Sequence, residues 1–463
     1  MFIGRDFELN HLQSSYESDR FEFVVVYGRR RVGKTRLLRE FTSDKPTLFF
    51  SAVQERDALA LERFSSQVID AFPELASVIS RFESWDKALG WLIEQANHKR
   101  FILVIDEFPY LAESNPAISS ILQHLADGPM QQSKLMLILC GSSMSFMEHQ
   151  VLGIKSPLYG RRTSQLKLQE MNYRESMAFF PGWSDKDKLE AYMSVGGTPY
   201  YLQALARHKN YPQAIIKELL TPTGLLFDEP ASLMNQEMRN PAGYHSLIRV
   251  IAQGATRVNQ MATKLQETSS SVSHYLDELI LLDLIEKNLP YGEKKGHPFY
   301  SVKNLLYRFY YTFVSPAVSS IAYGLGEKVF YEAIKPRLNE YFGHVFEEVA
   351  KEYLIILQQQ ARLPAFYQGF GRWWGSDPHL KQSIEVDVLG LSDHHVLLAE
   401  CKYQTAPIGV AVLEQLQYLA KIIHPQKQSH LYLFSRSGFS DRLRQAAAHY
   451  PVTLVSWEDL IDP

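Results

Sequence analysis

The sequence is poor in cysteine, in net charge and in long apolar runs. Two cysteines, Cys140 and Cys401, are present among 463 residues, which excludes a disulfide-rich scaffold and a metal cluster held by the cysteines of one chain. The net charge of −3 excludes a protein that holds nucleic acid by bulk positive charge, although a local basic patch is compatible with it. The longest apolar runs, such as 101–105 and 135–140, fall far short of the roughly 20 residues that cross a bilayer.

The rest of the composition is typical of a globular protein. Hydrophobic residues make up 46% and charged residues 21% of the chain, and we find no low-complexity tract and no internal repeat. The first ten residues lack the basic region and apolar core of a signal peptide. We therefore expect a cytoplasmic protein without membrane contact, with about three domains at roughly 150 residues each.

A phosphate-binding pattern follows the first apolar run. Residues 23–27 are predicted to form a buried strand, and the chain continues with Gly28, four further residues, Gly33, Lys34 and Thr35. The glycines let backbone N–H groups turn toward phosphates, the lysine adds charge at the β and γ oxygens, and the threonine hydroxyl reaches Mg²⁺. The pattern predicts that ATP is bound by Gly28, Arg29, Arg30, Arg31, Val32, Gly33, Lys34, Thr35 and Arg36.

A second apolar run supplies acidic residues. Residues 101–105 are predicted to form a strand that ends at Asp106 and Glu107. Because a carboxylate at this point holds Mg²⁺ in P-loop enzymes, we expect Asp106 to share the ion with Thr35 and Glu107 to polarise the attacking water. The alternative is that both carboxylates only stabilise the N-terminus of the next helix.

Four more residues are candidates for the phosphoryl-transfer site. A strand over 134–140 is followed by Ser142 and Ser143. In additional-strand P-loop ATPases a polar side chain here contacts the γ-phosphate or the water, whereas a helix cap is the equal alternative. Arg161 and Arg162 are candidates for neutralising transition-state charge, but arginine pairs also occur as structural features. An arginine acting from a second copy would require a homo-oligomer.

Residues 231–320 are predicted to form a winged helix. Helical patterns near 244–251, 257–265 and 272–284 precede two short strands, 285–289 and 298–302. The third helix and the turn between the strands would face duplex DNA. The candidate DNA contacts are Ser271, Ser273, His274, Lys294 and Lys295. A protein-docking or regulatory module is an equal alternative.

The last part of the chain carries a second group of ionisable residues. Residues 384–391 and 396–401 are predicted to pair as a hairpin, with Asp387 on one strand and Glu400 and Lys402 at the end of the other. Glu400 and Lys402 share one face because side chains alternate along a strand. Asp387 and Glu400 can bind Mg²⁺ or Mn²⁺ and so activate a water for phosphodiester attack, and Glu347 on an upstream helix is a further candidate. The alternative is an inert hairpin in which Glu400 and Lys402 form a structural ion pair.

A family resemblance extends over about residues 1–230. The segments FIGRDFELNHL, GRRRVGKTRLL, VIDEFPYL, CGSS, PLYGRRT and VGGTPYYL occur in this order. Together they resemble the archaeal-type P-loop ATPases of the AAA+/STAND group. The resemblance implies an ATPase core over 1–165 and a helical lid over 166–230. It also implies that 2–5 lie near the adenine and that 196–199 form a nucleotide-sensing turn.

A second resemblance covers the C-terminal part. The D-x12-E-x-K spacing is similar to that of the PD-(D/E)xK nuclease superfamily. The segments G-x-x-F-E, YQGFGRWWG, E-x-D-x-x-G and ECK resemble the nuclease-like domain of unknown function that trails many archaeal-type ATPases. This second resemblance implies a domain over 321–463 in which Asp387, Glu400 and Lys402 carry catalysis and Glu347 is a helix carboxylate. Val386 stands where the superfamily often has proline.

These features predict an α/β multi-domain fold. Its parts are a P-loop NTPase with a parallel sheet and helical lid, a winged helix, and a C-terminal restriction-endonuclease-like α/β domain. The leading hypothesis is an ATP-binding, Mg²⁺-dependent ATPase coupled to a DNA-directed module with a metal-dependent nuclease-like domain. A second hypothesis is a regulatory ATP switch whose inactive C-terminal domain binds DNA or a partner. A third is an origin-binding or loader-type protein that does not cut DNA.

Overall fold

The computed structural model describes residues 2–238, 240–293 and 298–461. Its contacts divide the chain into two compact units. The first comprises Met1–Glu170 with Thr198–Tyr200, and the second comprises Met171–Gly197 with Tyr201–Pro463. Lys294 and Lys295, which the sequence predicts to contact DNA, lie outside the described residues.

A sheet of five parallel strands forms the centre of the first unit. Its strands are β1 (Glu22–Tyr27), β2 (Thr47–Ser51), β3 (Phe101–Asp106), β4 (Leu135–Gly141) and β5 (Ser164–Lys167). They lie in the order β2-β3-β4-β1-β5, and every pairing is parallel. Every residue of β1, β3 and β4 is buried, which explains their continuous apolar sequence. The predicted parallel sheet is confirmed.

Within residues 2–170, the structure describes seven α-helices around this sheet. They are α1 (Asp6–Glu17), α2 (Lys34–Thr42), α3 (Asp57–Ala71), α4 (Trp85–His98), α5 (Phe108–Ser114), α6 (Ile118–Asp127) and α7 (Met144–Phe146). Leu37, Leu38 and Phe41 of α2 are buried in the same apolar cluster as β1, β3 and β4 residues. Strands β3, β4 and β1 are neighbours, so their carboxyl ends lie along one edge of the sheet. Ligands of parallel α/β sheets bind at this edge.

The second unit begins with helices and a short hairpin. The helices are α8 (Tyr173–Met177), α9 (Asp185–Val195), α10 (Pro199–Leu205, whose first two residues belong to the first unit), α11 (Tyr211–Leu219), α12 (Glu229–Glu237), α13 (Pro241–Ala252), α14 (Val258–Leu265) and α15 (Ser269–Leu281). Helices α13, α14 and α15 pack on one another. Antiparallel strands β6 (Ile285–Asn288) and β7 (Phe299–Val302) follow. Helix α15 begins earlier than the sequence predicts, because the Thr268 side chain accepts the Ser271 N–H and caps it.

The rest of the second unit contains a mixed sheet. The strands are β8 (Phe370–Ser376), β9 (Ser383–Leu391), β10 (His395–Lys402), β11 (Gln428–Ser435) and β12 (Val452–Val455), and the helices are α16 (Leu305–Phe309), α17 (Val318–Ala322), α18 (Gly326–Lys328), α19 (Leu338–Gln359), α20 (Val410–Ile422), α21 (Asp441–Ala447) and α22 (Trp457–Ile461). The order is β12-β11-β10-β9-β8. Strands β10, β11 and β12 are mutually parallel, whereas β8–β9 and β9–β10 are antiparallel.

This sheet and its helices bury an apolar core. Leu398 of β10 and Leu433 of β11 are buried with Leu413, Leu416 and Leu419 of α20. The spacing of the three leucines is that of a helix with one apolar face. Within the ranges that the structure describes, no helix is long and apolar enough to span a membrane.

Candidate functional site

The glycine loop between β1 and α2 has the backbone conformation that phosphate binding needs. Gly28 has φ 155° and Gly33 has φ 96°, a region that residues with side chains rarely adopt. A Cβ on Gly28 would lie 2.4 Å from the backbone oxygen of Leu168, so glycine is required there for packing as well. The loop leads directly into α2, whose N-terminal N–H groups favour an anion.

Lys34 points into this loop and is only 5% exposed. Its Nζ donates to the carbonyl oxygens of Gly28 (2.8 Å) and Arg29 (2.9 Å). Burial lowers the pKa of Lys34, while the charges of nearby acidic groups, including Asp106 and Glu107, oppose that shift. A phosphate placed against the loop would compensate the buried charge.

Thr35 and Asp106 come together as the sequence predicts. The Thr35 Oγ1 donates to Asp106 Oδ2 at 2.8 Å, and Asp106 Oδ1 accepts the Glu107 N–H at 3.1 Å. A hydroxyl and a carboxylate are hard oxygen ligands of the kind that Mg²⁺ takes together with nucleotide phosphates. The pair therefore suits a magnesium ion bound with ATP.

Glu107 is held by the neighbouring strand. Its Oε2 accepts from the Ser142 hydroxyl at 2.9 Å and from the Ser142 N–H at 3.3 Å. Glu107 itself has φ 52°, a left-handed conformation that is uncommon for a residue with a side chain and occurs at functional sites. The described contact of Ser142 is therefore with the candidate base, a role that the sequence does not predict.

Two arginines of the loop contact residues that come last in the sequence of the first unit. Arg29 Nη1 lies 2.9 Å from Glu170 Oε1, and the guanidinium of Arg31 stacks 4.0 Å above the ring of Tyr200. Tyr200 belongs to the segment that follows the predicted nucleotide-sensing turn, and a Cβ on Gly33 would lie 3.8 Å from Pro199. These long-range partners have no signal in the sequence.

The remaining loop residues differ in burial. Arg30 Nη2 donates to the Tyr110 hydroxyl at 3.4 Å. Arg36 points outward and pairs with Glu40 at 3.5 Å. Val32 is buried. Arg30 and Val32 belong to the loop, whereas Arg36 lies in the first turn of α2 with its side chain toward solvent.

The N-terminal segment is attached to the same loop through Arg5. This side chain is 5% exposed, and its Nη2 donates to the carbonyl oxygens of Val32 (3.1 Å) and Gln169 (2.7 Å). Its Nη1 lies 2.9 Å from Glu8. Arg5, at the end of the segment 2–5, therefore contacts the loop directly.

Arg161 and Arg162 have different surroundings. Arg161 forms a two-pronged ion pair with Asp127, at 2.8 and 2.7 Å, and its Nη1 donates to the backbone oxygens of Pro157 and Tyr159. Arg162 is half-buried and makes no hydrogen bond or ion pair among the described residues. Arg161 would have to leave these partners to reach a phosphate.

In the second unit, the hairpin β9–β10 brings Asp387 beside the end of β10. Asp387 is 9% exposed, and its Oδ2 accepts the Cys401 N–H at 2.8 Å. Burial, together with the charges of Glu400 and Glu347, raises its pKa to about 8. A buried carboxyl with two acidic neighbours is a site that a cation stabilises.

We define the acidic cluster as Glu347, Asp387, Glu400, Lys402 and Arg372. Two of its members, Lys402 and Arg372, are positively charged side chains. Lys402 Nζ lies 2.5 Å from Glu400 Oε1. Burial opposes charge on Lys402, but Glu400 outweighs it and raises the pKa of the lysine. Arg372 lies 3.5 Å from Glu347 and 2.8 Å from Glu385. Arg372 is a member that the sequence does not predict.

Within the described ranges, no three His, Cys, Asp or Glu side chains are placed to share one metal ion. Asp387 and Glu400 remain the pair with oxygen atoms suited to Mg²⁺ or Mn²⁺.

The candidate DNA contacts on α15 are accessible. Ser273 and His274 are exposed and Ser271 is half-buried, while Val272 and Leu276 face the core. The loop after β6 packs on the C-terminal sheet: the Tyr291 N–H donates to the Arg372 carbonyl at 2.9 Å. The structure does not bring the α15 residues close to the acidic cluster by any described contact.

A glycine loop after a buried parallel strand, a lysine directed into it and a threonine–aspartate pair beside it define a P-loop ATPase. Residues 2–205 match a family described as an ATPase domain predominantly from Archaea, and residues 310–414 match one described as archaeal and bacterial proteins of unknown function. The uncharacterised protein MJECL04 of Methanocaldococcus jannaschii is 33% identical over 408 residues, 87% of this chain and 88% of the relative. The chain therefore belongs to this family of archaeal-type ATPases.

Two other comparisons agree with this assignment. The ATP-binding protein MJ0423 of the same organism is 40% identical over 45 residues, which is 10% of this chain and 76% of that protein. The solved structure of the Walker-type ATPase PABY2304 from Pyrococcus abyssi has a TM-score of 0.53 at 19% identity, and it covers 67% of this chain and 96% of its own. The likeness to this structure concerns the fold alone.

Proposed function

We propose that the chain couples its ATPase to a DNA-directed module and that its C-terminal domain hydrolyses phosphodiesters with Mg²⁺. In this proposal residues 1–165 form the ATPase core, 166–230 the helical lid, 231–320 a winged helix and 321–463 the nuclease-like domain. The observation that carries the second activity is the convergence of Asp387, Glu400 and Lys402 at the end of one hairpin.

In the ATPase site each residue has one task. The loop N–H groups and Lys34 hold the β- and γ-phosphates, and Thr35 with Asp106 would hold Mg²⁺, which neutralises phosphate charge when bound. Glu107 accepts a proton from the water that attacks the γ-phosphorus, while the bond to the β-phosphate oxygen breaks. Ser142 keeps the Glu107 carboxylate in one orientation through its two hydrogen bonds.

In the acidic cluster, Asp387 and Glu400 would hold a divalent cation that lowers the pKa of a bound water. Lys402 then lies beside the attacked phosphate and stabilises its negative charge. The water oxygen bonds to phosphorus and gives up one proton to solvent, the bond to one ester oxygen breaks, and that oxygen takes up one proton from solvent. The Lys402 ammonium has three N–H donors, so it can contact the phosphate and keep its ion pair with Glu400.

Helix α15 is the proposed contact with duplex DNA. Its outward face carries the small polar residues Ser273 and His274, which suit phosphate and base-edge contacts. Three packed helices followed by a β-hairpin support a winged-helix assignment. We expect His274→Glu to weaken duplex binding, because it places a negative charge against the phosphates.

The second candidate function is a regulatory ATP switch with an inactive C-terminal domain. It is favoured by one observation: Glu400 already has a close cationic partner in Lys402. In that case the pair stabilises the fold, and no cation is needed beside Asp387.

A cleavage assay separates the two candidates. The full chain is incubated with single- and double-stranded DNA in Mg²⁺ or Mn²⁺, alongside Lys402→Ala and the control Lys421→Ala, an exposed lysine of α20. We expect cleavage by wild type and the control and at least about 100-fold slower cleavage by Lys402→Ala. Equal cleavage by wild type and Lys402→Ala contradicts the nuclease assignment.

Calorimetry with Mg²⁺ provides a second readout at the same cluster. A competent pair should give heat of binding that Asp387→Asn removes, measured with Thr35→Ala in both proteins so that the ATPase site does not contribute. If the protein that keeps Asp387 does not bind Mg²⁺, the result supports the regulatory switch.

A further inference from the structure

A polar cavity lies where strands β11 and β12 of the C-terminal sheet end. Its volume is about 590 Å³. It is lined by residues that directly follow β11 and β12, among them Arg436, Gly438 and Ser456. Strands β10, β11 and β12 are parallel, so this cavity is at the same carboxyl edge as Lys402, the edge at which α/β sheets bind ligands.

The cavity is one strand away from Lys402. In the sheet Lys402 pairs with Ser435, and the N–H of Arg436 donates to the Lys402 carbonyl at 3.2 Å. The Arg436 guanidinium stacks 4.6 Å from the centre of the Tyr403 ring. The lining residue Arg436 is therefore hydrogen-bonded to the strand end that carries the proposed catalytic lysine.

Two arginine side chains of the lining have N–H donors that are available to a ligand. Arg436 Nη1 donates to Asn339 Oδ1 at 2.5 Å, and Arg444 Nε donates to the Phe439 carbonyl at 3.3 Å. Among the described residues, the other guanidinium nitrogens of both arginines have no hydrogen-bond acceptor or ion-pair partner. Guanidinium groups with unused donors are the usual protein ligands of phosphate.

The other walls are not basic. Glu458 and Asp459 of α22 face the same cavity, and Phe439 and Leu454 supply apolar surface. An inorganic anion alone would be repelled by the two carboxylates. A nucleotide matches all three walls, because its phosphate accepts from arginine, its base packs on apolar side chains, and its hydroxyl or amino groups donate to carboxylates. The volume is in the range of small-molecule sites.

We propose that this cavity is a nucleotide subsite, which takes one phosphate with its attached nucleoside. The inference rests on the proposed function, since it gives the acidic cluster a nucleic-acid substrate and orients that substrate beside Lys402. The nucleotide can belong to a nucleic-acid strand or be a free mononucleotide. Either source presents the same groups to Arg436 and Arg444.

The test measures binding by the full chain. A fluorescent single-stranded oligodeoxynucleotide is titrated in Ca²⁺, and thymidine monophosphate is titrated by calorimetry. The variants are Arg436→Ala and Arg444→Ala, with Arg442→Ala as the matched control, an exposed arginine of the same helix α21 that does not line the cavity. We expect about tenfold weaker binding for each lining arginine and no change for the control.

The outcomes separate the sources and the functions. If the two lining variants bind only the oligonucleotide more weakly, the ligand of the cavity is part of a nucleic-acid strand. If they bind only the monophosphate more weakly, the ligand is a free nucleotide. Normal binding of both probes by Arg436→Ala and Arg444→Ala overturns the subsite. Arginine-dependent binding without any cleavage by wild type supports the subsite and contradicts the nuclease. Should Arg436→Ala fail to fold, the exposed Arg444 still decides the outcome.

Discussion

In the phosphate-binding loop, Lys34 donates to two backbone carbonyls of its own loop, whereas in the acidic cluster Asp387 shares its surroundings with two other carboxylates. Burial acts on both. It lowers the pKa of the lysine and raises that of the aspartic acid, so each buried group disfavours its charged form. A bound phosphate would stabilise the charged form of Lys34, and a bound cation would stabilise the charged form of Asp387.

The two sites are also built from different parts of the chain. The loop uses backbone N–H groups positioned by Gly28 and Gly33, so a short contiguous segment contains most of what it needs. The cluster uses side chains of α19, β8, β9 and β10, and their positions depend on the whole domain. We therefore expect the loop to tolerate changes around it better than the cluster does.

The largest expected effect is at Lys34. Lys34→Ala removes the positive charge at the β- and γ-phosphates, and we expect ATP affinity to fall about 100-fold or more, measured by titration calorimetry. Thermal unfolding should change little, since the buried ammonium is itself costly to desolvate. Lys87→Ala, which removes an exposed lysine of α4, is the control. Unchanged ATP affinity would show that the loop is not the nucleotide site.

A smaller effect is expected at Ser142. Ser142→Ala removes the hydroxyl that holds Glu107, and we expect kcat for ATP hydrolysis to fall about tenfold with KM within about twofold. Ser145→Ala, which removes an exposed hydroxyl of α7, is the control, since the Ser145 hydroxyl has no hydrogen bond among the described residues. A rise in KM with normal kcat would instead indicate that Ser142 contacts the nucleotide.

The second unit offers a half-buried carboxyl outside the acidic cluster for comparison. Glu352 of α19 accepts the Tyr173 N–H at 2.9 Å and the Tyr192 hydroxyl at 2.6 Å. Burial raises its pKa from 4.5 to about 7. The folded protein therefore binds more protons than the unfolded chain between pH 4.5 and pH 7, so stability falls as the pH rises through this window, by about 3 kcal/mol.

Glu352→Gln should remove this part of the pH dependence. Denaturant unfolding at pH 5 and pH 7.5 measures the difference in the free energy of unfolding for wild type, Glu352→Gln and the control Glu340→Gln, an exposed residue of the same helix. A pH dependence that is equal in all three proteins would mean that Glu352 does not titrate in this range.

The sequence predicts the local parts of both sites and misses the long-range ones. The loop and Asp106 are recognisable because each follows a continuous apolar strand. The Arg29–Glu170 pair joins residues 141 positions apart, and no periodicity marks it. In the cluster, alternation along the hairpin predicts Asp387 and Glu400. Arg372 is not predictable, because a register shift between Gly371 and Trp373 interrupts the pairing of β8, and such bulges redirect side chains.

The smallest expected effect concerns the arginine pair, where the sequence leaves two candidates and the contacts distinguish them. Arg161 already has both Asp127 oxygens and two carbonyls as partners, so Arg161→Ala should lower thermal stability slightly, because an exposed ion pair contributes little. Arg162 makes no described hydrogen bond or ion pair, so we expect Arg162→Ala to reduce ATP turnover more than Arg161→Ala does. Turnover per chain is measured over a range of protein concentrations, since an arginine supplied by a second copy makes the rate rise with concentration. A greater loss of turnover in Arg161→Ala would mean that the ion pair with Asp127 opens during the reaction.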